Sequence, residues 1–353
     1  MRHAIGSIFL ITNLIFSTLL FGQITVPSGY YSGTWAGDTT YVVTGDVLVN
    51  HGDTLNIGAG AIVKFQGSYM IRVEGSFFAN GTETDSIIFE PYDANSTSNG
   101  QWGGIKFYYG SFSHTSKVEL SYFRTSYGGN GNWPQGAVVV YSKQSDNSGI
   151  DSVMISHGLI HNSSERGVSV YQNRRDTNYG LAGTKPYVHL SNLHIHSHQQ
   201  QGLRIDNNYE TEIKIDSLNV HDNNQDGVFI YYNYDKTMIS IDSLRSVSNN
   251  NKGLYVYRLD SGSKLKIRNG DFHSNQQNQV EVRYLDQPQN FSLRNSKIED
   301  DADNDGYYAV YAYDCCNNND DLSNTLDLRL NNWGSTVTAL MNSGTNPQDL
   351  DEI

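Results

Sequence analysis

Short runs of alternating apolar and polar residues recur along this chain, among them Val188-His189-Leu190, Ile213-Lys214-Ile215, Ile239-Ser240-Ile241, Leu265-Lys266-Ile267 and Phe291-Ser292-Leu293. A period of two sends successive side chains to opposite faces, so each run predicts a half-buried strand. A second set of runs follows a glycine: Gly167-Val168-Ser169-Val170, Gly202-Leu203-Arg204-Ile205, Gly227-Val228-Phe229-Ile230 and Gly253-Leu254-Tyr255-Val256. A fifth copy, Gln279-Val280-Glu281-Val282, has glutamine in place of the glycine. The aligned positions 167, 202, 227, 253 and 279 are 35, 25, 26 and 26 residues apart.

Two or three short strands in about 26 residues leave no room for more than one helical turn, and such a unit cannot bury its own apolar face. It must stack on copies of itself. Propeller blades need about 40 residues, and a leucine-rich repeat needs an LxxLxLxxN core. Neither fits, and a parallel β-helix does. The pattern therefore predicts an all-β solenoid of single short strands, with residues 45–353 forming about 10–11 coils after a lead-in over 23–44.

Composition narrows the function. The chain has 353 residues, 37% hydrophobic and 17% charged, with a formal charge of −13. An acidic chain with no cluster of Lys and Arg is not suited to nucleic acid or an anionic membrane. The two cysteines, Cys315 and Cys316, are adjacent and make no disulfide framework or zinc spacing. Arg2 and His3 precede an apolar run from Ile5 to Phe21 that stops at Gly22-Gln23. This predicts a signal peptide over 1–22, no membrane span after its cleavage, and a secreted or cell-surface protein.

The stretches Gly45-Asp46-Val47-Leu48-Val49, Gly52-Asp53-Thr54-Leu55-Asn56-Ile57, Ala61-Ile62-Val63-Lys64-Phe65, Ile71-Arg72-Val73-Glu74-Gly75 and Ser86-Ile87-Ile88-Phe89 resemble the opening coils of secreted bacterial right-handed parallel β-helix proteins of the pectin-lyase-like superfamily. Trp102-Gly103-Gly104-Ile105 and Asn331-Asn332-Trp333-Gly334 are similar to that family's WxGI and NxWG signatures. The resemblance, over residues 40 to 353, implies a right-handed parallel β-helix. Members continue past the NxWG turn into a cap or sorting segment, which implies that residues 45–353 lack a C-terminal cap and that the chain is a fragment. The superfamily hosts lyases, hydrolases and epimerases, but the fold alone licenses no activity. Of the polygalacturonase pattern of NTD, DD, GHG and RIK, only DD pairs are present, at Asp300-Asp301 and Asp320-Asp321.

Stacking turns equivalent positions into ladders about 4.8 Å apart. Six residues before the aligned glycine come His161, His196, His221, Val247 and His273, a column of imidazoles suited to a transition metal or to a polar ladder at a turn. Four before it come Ser163, His198, Asn223, Asn249 and Asn275, which predicts an amide ladder inside the turn. Two outward tracks follow the glycine: Ser169, Arg204, Phe229, Tyr255 and Glu281, then Tyr171, Asp206, Tyr231, Tyr257 and Arg283. Aromatics interspersed with charge suit sugar rings, or stack on one another to stabilise the ladder as cross-strand pairs do. The candidate carbohydrate-binding residues are thus Tyr171, Arg204, Asp206, Phe229, Tyr231, Tyr255, Tyr257 and Arg283. The expected role is non-catalytic, either carbohydrate binding and adhesion or a structural stalk; the expected partner is a polysaccharide or surface glycan, or another surface protein, and no catalytic residue is assigned. The alternative is a lyase or hydrolase of acidic polysaccharides; Asp226 and Lys252, one coil apart, read as a surface ion pair. Asp301, Asp303 and Asp305 of the DxDxDG run match the first half of a calcium loop, as in dockerin-like repeats, or form a solvated acidic turn between strands; position 312 is Ala where a full EF-hand loop has Glu.

Overall fold

In the computed structural model, residues 22–93, 101–109, 116–130, 135–142, 150–173, 186–234, 236–260, 262–299, 306–313, 326–335 and 338 are described. The chain winds as a right-handed parallel β-helix in which every pairing between named strands is parallel. Two sheets run its length. The first passes from Ile24–Val26 through Thr40–Val43, Ile62–Phe65 and Ile87–Pro91 to strands of ten to twelve residues such as Ile150–His161, Tyr187–His196 and Glu212–His221. The second passes from Gly29–Tyr30 to Val310–Tyr313 by way of Val168–Tyr171, Leu203–Asp206, Val228–Tyr234 and Leu254–Leu259. The main path of each has eleven strands. Pairing begins inside the lead-in, since Ile24–Val26 lies in register with Tyr41–Val43.

The long strands are two predicted strands joined at a corner. One residue per coil at that corner takes a left-handed φ: Tyr122, His157, Asn192, Ser217, Ser243, Asn269 and Asn295. A single left-handed residue turns the chain without a loop, and Asn and Ser tolerate that conformation better than branched or bulky residues. The first sheet is therefore two faces of the coil, and the second sheet is the third.

The inward residues form aliphatic columns. Leu120, Ile155, Leu190, Ile215, Ile241, Ile267 and Leu293 succeed one another in register, each at most 2% exposed. On the second sheet Val140, Val170, Ile205, Ile230, Val256 and Val282 do the same. The WxGI segment has a packing role: Trp102 is fully buried, lies flat on Phe65 at 4.0 Å, and donates its indole N–H to the Ser126 carbonyl at 2.9 Å. Around the NxWG turn, Leu326, Leu328 and Trp333 pack against the core, and the Asn331 amide donates to the carbonyls of Leu293 and Leu328.

The turn before the second sheet holds the predicted amide ladder. The Asn223 Nδ2 donates to Asn249 Oδ1 at 2.9 Å, and that of Asn249 to Asn275 Oδ1 at 3.0 Å. His198 stands in the same column, accepting the Ser163 N–H on Nδ1 at 3.0 Å and turning Nε2 to the Ile160 carbonyl at 3.1 Å. The aligned glycine is needed because the chain passes so near: a Cβ at Gly227 would lie 2.6 Å from Asn249 Nδ2 and 2.0 Å from Ser246 Oγ. Glutamine replaces glycine where the ladder ends, and Gln279 Oε1 accepts from Asn275 Nδ2 at 2.8 Å. A second amide ladder, Asn173 to Asn208 to Asn233 at 2.8 and 2.9 Å, closes the other end of the second sheet.

Candidate functional site

The outer face of the second sheet brings the predicted tracks together. Ser169, Arg204, Phe229, Tyr255 and Glu281 are Cα partners in successive strands. Beside them Tyr171 faces Asp206, and Tyr231 stacks on Tyr257 at 4.9 Å. The orientation of the rings differs from what sugar stacking requires. Phe229 and Tyr255 lie parallel, 4.8 Å apart at an angle of 8°, so their faces point along the helix axis and into the neighbouring coils. The Arg204 guanidinium covers the other side of the stack, 5.0 Å from Phe229 and 5.1 Å from Tyr231. Arg283 at 5.3 Å and Lys252 at 4.5 Å approach Tyr255. The coil spacing is close to the preferred separation of stacked rings, so rings in register satisfy each other. What this face leaves at the surface is ring edges and hydroxyls.

Two charged knots bracket the aromatic stack. In the first, both Nε and Nη2 of Arg204 donate to Asp206 Oδ2, at 3.0 and 2.7 Å. Asp206 points outward yet is only 3% exposed, and its Oδ1 has no hydrogen-bond partner. Burial raises its carboxyl above the ordinary range against the opposing pull of Arg204. Burial, helped by the positive charge of Arg204, lowers neighbouring Arg166 to about 10. In the second knot Glu281, 2% exposed, holds Arg283 at 2.5 Å and Lys252 Nζ at 3.4 Å, and accepts from Asn278 Nδ2 at 2.8 Å.

Asp226 is not the surface ion-pair partner that its spacing to Lys252 suggests. It is 5% exposed and accepts only the backbone N–H of Lys252, at 3.2 Å. The Lys252 ammonium reaches over to Glu281, which also lies within the sheet face and is otherwise held by the Arg283 guanidinium and the Asn278 amide. Burial pushes Asp226 up to about 6, opposed by Lys252 and assisted by Glu281.

The same face extends further than the predicted tracks. Tyr108, Tyr141 and Tyr171 follow one another in register, with centroid separations of 4.8 and 5.8 Å, and the Arg72 guanidinium sits 4.3 Å from the Tyr108 ring. Their signal was the shared pattern Phe107-Tyr108, Val140-Tyr141 and Val170-Tyr171. Uneven loop lengths before Val168 hide it from any fixed-period alignment.

With this geometry in place, comparison with known proteins bears on the fold. Residues 29–143 match the family described as a pectate-lyase like beta helix domain, less than half of the chain. Among solved structures, a point mutant of the periplasmic alginate epimerase AlgG is similar at 13% identity, over 83% of this chain and 73% of that one, with a TM-score of 0.35. Another AlgG structure gives 10% identity over 83% and 85%, with a TM-score of 0.27. Similarity this low has no bearing on chemistry. No curated protein matches the sequence.

On the first sheet, His161, His196 and His221 stand in register with centroids 5.3 and 5.0 Å apart and rings within 6° of parallel, as the column predicts. His194, which the column does not contain, joins them. Among the described residues no three His, Cys, Asp or Glu side chains converge on one point. Asp301, Asp303 and Asp305 lie outside the described residues, as do residues 1–21 and both cysteines. No described helix is long and apolar enough to cross a membrane.

Proposed function

We propose that this protein is an exported β-helix that binds polysaccharide, without catalysis, on the outer face of its second sheet. The observation behind this reading is the state of the carboxylates. Asp206, Asp226 and Glu281 are all at most 5% exposed, and two of the three are engaged by guanidinium or ammonium groups. General acid–base work needs a carboxyl within hydrogen-bond reach of the substrate. Tyr171, Tyr231, Tyr255 and Tyr257, by contrast, are half-buried and leave ring edges at the surface. Phenol hydroxyls and guanidinium N–H groups suit the hydroxyl-rich edge of a sugar chain. The match of residues 29–143 to a pectate-lyase like domain supports polysaccharide as the ligand class. Glycan-array binding by the mature protein tests this: the double variant Tyr231→Ala, Tyr257→Ala should lose binding while keeping its fold, and undiminished binding would remove this face from consideration.

A second reading, a lyase or hydrolase of acidic polysaccharides, is favoured by one feature, the carboxyl of Asp226 raised by burial to about 6 on the same sheet face as Lys252 and Glu281. It requires unsaturated or reducing-end products from pectate or alginate with calcium supplied, and Asp226→Asn must abolish them. Calcium at Asp301, Asp303 and Asp305 is part of the proposal as a structural ion: a chelator should lower the Tm, and Asp303→Ala should remove that sensitivity.

A further inference from the structure

The histidines of the first sheet form a closer group than their column indicates. His196 pairs in register with His221, and two residues earlier on the same strand His194 pairs with Asn219. His194 and His196 therefore project from one face of Tyr187–His196, and His194 meets His221 on the diagonal, a separation that long side chains span. The two Nε2 atoms come to 2.5 Å, shorter than an ordinary hydrogen bond between nitrogens. His196 lies 5.0 Å from both rings, and His161 stacks on His196 from the preceding coil.

The partners of the other ring nitrogens decide what this group can do. His221 Nδ1 lies 2.6 Å from Asp222 Oδ2, so Nδ1 carries the proton and Nε2 presents its lone pair to His194. A carboxylate behind one imidazole nitrogen is the arrangement that orients histidine as a metal ligand through the other. His161 Nε2 is buried without a hydrogen-bond partner. His194 and His221 each keep a partly exposed ring, so an ion can reach them.

We propose that His194 and His221 chelate one divalent transition-metal ion through their Nε2 atoms, with Asp222 orienting His221 and water filling the remaining positions. Two imidazoles without thiolate select the later first-row metals, Cu2+, Ni2+ and Zn2+, over Mg2+ and Ca2+. Cis nitrogens bound at ~2.0–2.1 Å stand about 2.9–3.4 Å apart, so the pair needs to open by less than 1 Å to admit the ion. A rigid strand pair fixes the two Cα atoms one coil apart and leaves only ring rotation to complete the site. This ion is separate from the polysaccharide face, since the two sheets' outer faces point in different directions.

The test is calorimetric titration of chelator-treated, full-length mature protein with Cu2+, Ni2+ and Zn2+ separately, with circular dichroism checking the fold of each variant. One equivalent should bind. His194→Asn and His221→Asn should each abolish that binding, and Asp222→Asn should weaken it about tenfold. His189→Asn, at a distant position where the ring pairs with Asp216, should change nothing. Absence of binding, or binding that survives both His194→Asn and His221→Asn, overturns the proposal and leaves a histidine–histidine hydrogen bond at this place.

Discussion

The inward and outward columns of the same strands obey different rules. Inward positions repeat nearly the same residue from coil to coil, as in Ile215, Ile241 and Ile267 or Asn223, Asn249 and Asn275. A buried amide is satisfied by an identical amide one coil away, and a β-branched side chain packs on its own kind, so each inner column tends to uniformity. Outward positions change at every coil: Ser169, Arg204, Phe229, Tyr255, Glu281. They are nonetheless well partnered, in pairs and sandwiches confined to two or three coils. Variation on the outer face therefore marks a change of partner, and only the groups left at the edges of those sandwiches remain for a ligand.

Breaking the two kinds of column should have graded effects on stability, readable by urea denaturation at pH 7. Ile215→Ala opens a cavity in the middle of a continuous aliphatic column and should cost about 4 kcal/mol. Arg204→Met strands the buried Asp206 carboxylate and should cost about 3 kcal/mol, most of which Asp206→Asn in the same chain should return. If Arg204→Met were as mild as a surface change, the outer face would be looser than its geometry shows. Asn249→Ala removes the acceptor of Asn223 and the donor to Asn275, and should cost about 2 kcal/mol. A smaller effect separates two buried turn groups, His198 and Asp226, by pH. Burial depresses His198 from 6.5 to about 3, so its contribution is present above pH 6.5 and is lost as pH falls toward 3. Asp226 is raised from 3.8 to about 6, so its contribution is present below pH 3.8 and is lost as pH rises through 6. In Tm–pH profiles, His198→Asn should flatten the acid side and Asp226→Asn should remove the opposite slope between pH 4 and 6.

Much of the fold was legible because its physics is local. Period-two alternation, a glycine forced by the Asn ladder, and spacings near 26 residues together require stacking. The left-handed corner was not legible. Tyr122, His157, Asn192, Ser217, Ser243, Asn269 and Asn295 share a conformation without sharing a residue type, and exposed corners admit several side chains. The second amide ladder was missed although Asn173, Asn208 and Asn233 each stand six residues after an aligned glycine, because the same position turns apolar at Leu259 and Leu285 in the next two coils. On the candidate face, the two tracks could be written down from the sequence. The covering of ring faces by Arg204 and Arg283, the turn of Lys252 from Asp226 to Glu281, and the meeting of His194 with His221 could not.

The sequence by itself determined which side of each strand is apolar and which residues share a register, because alternation and repeat length are properties of the chain. The tertiary structure alone decided what each outward side chain touches. Long side chains choose among neighbours on the coils before and after their own, at nearly equal distance. That choice is settled by which charge is left buried and which ring is left uncovered, and both depend on three coils at once.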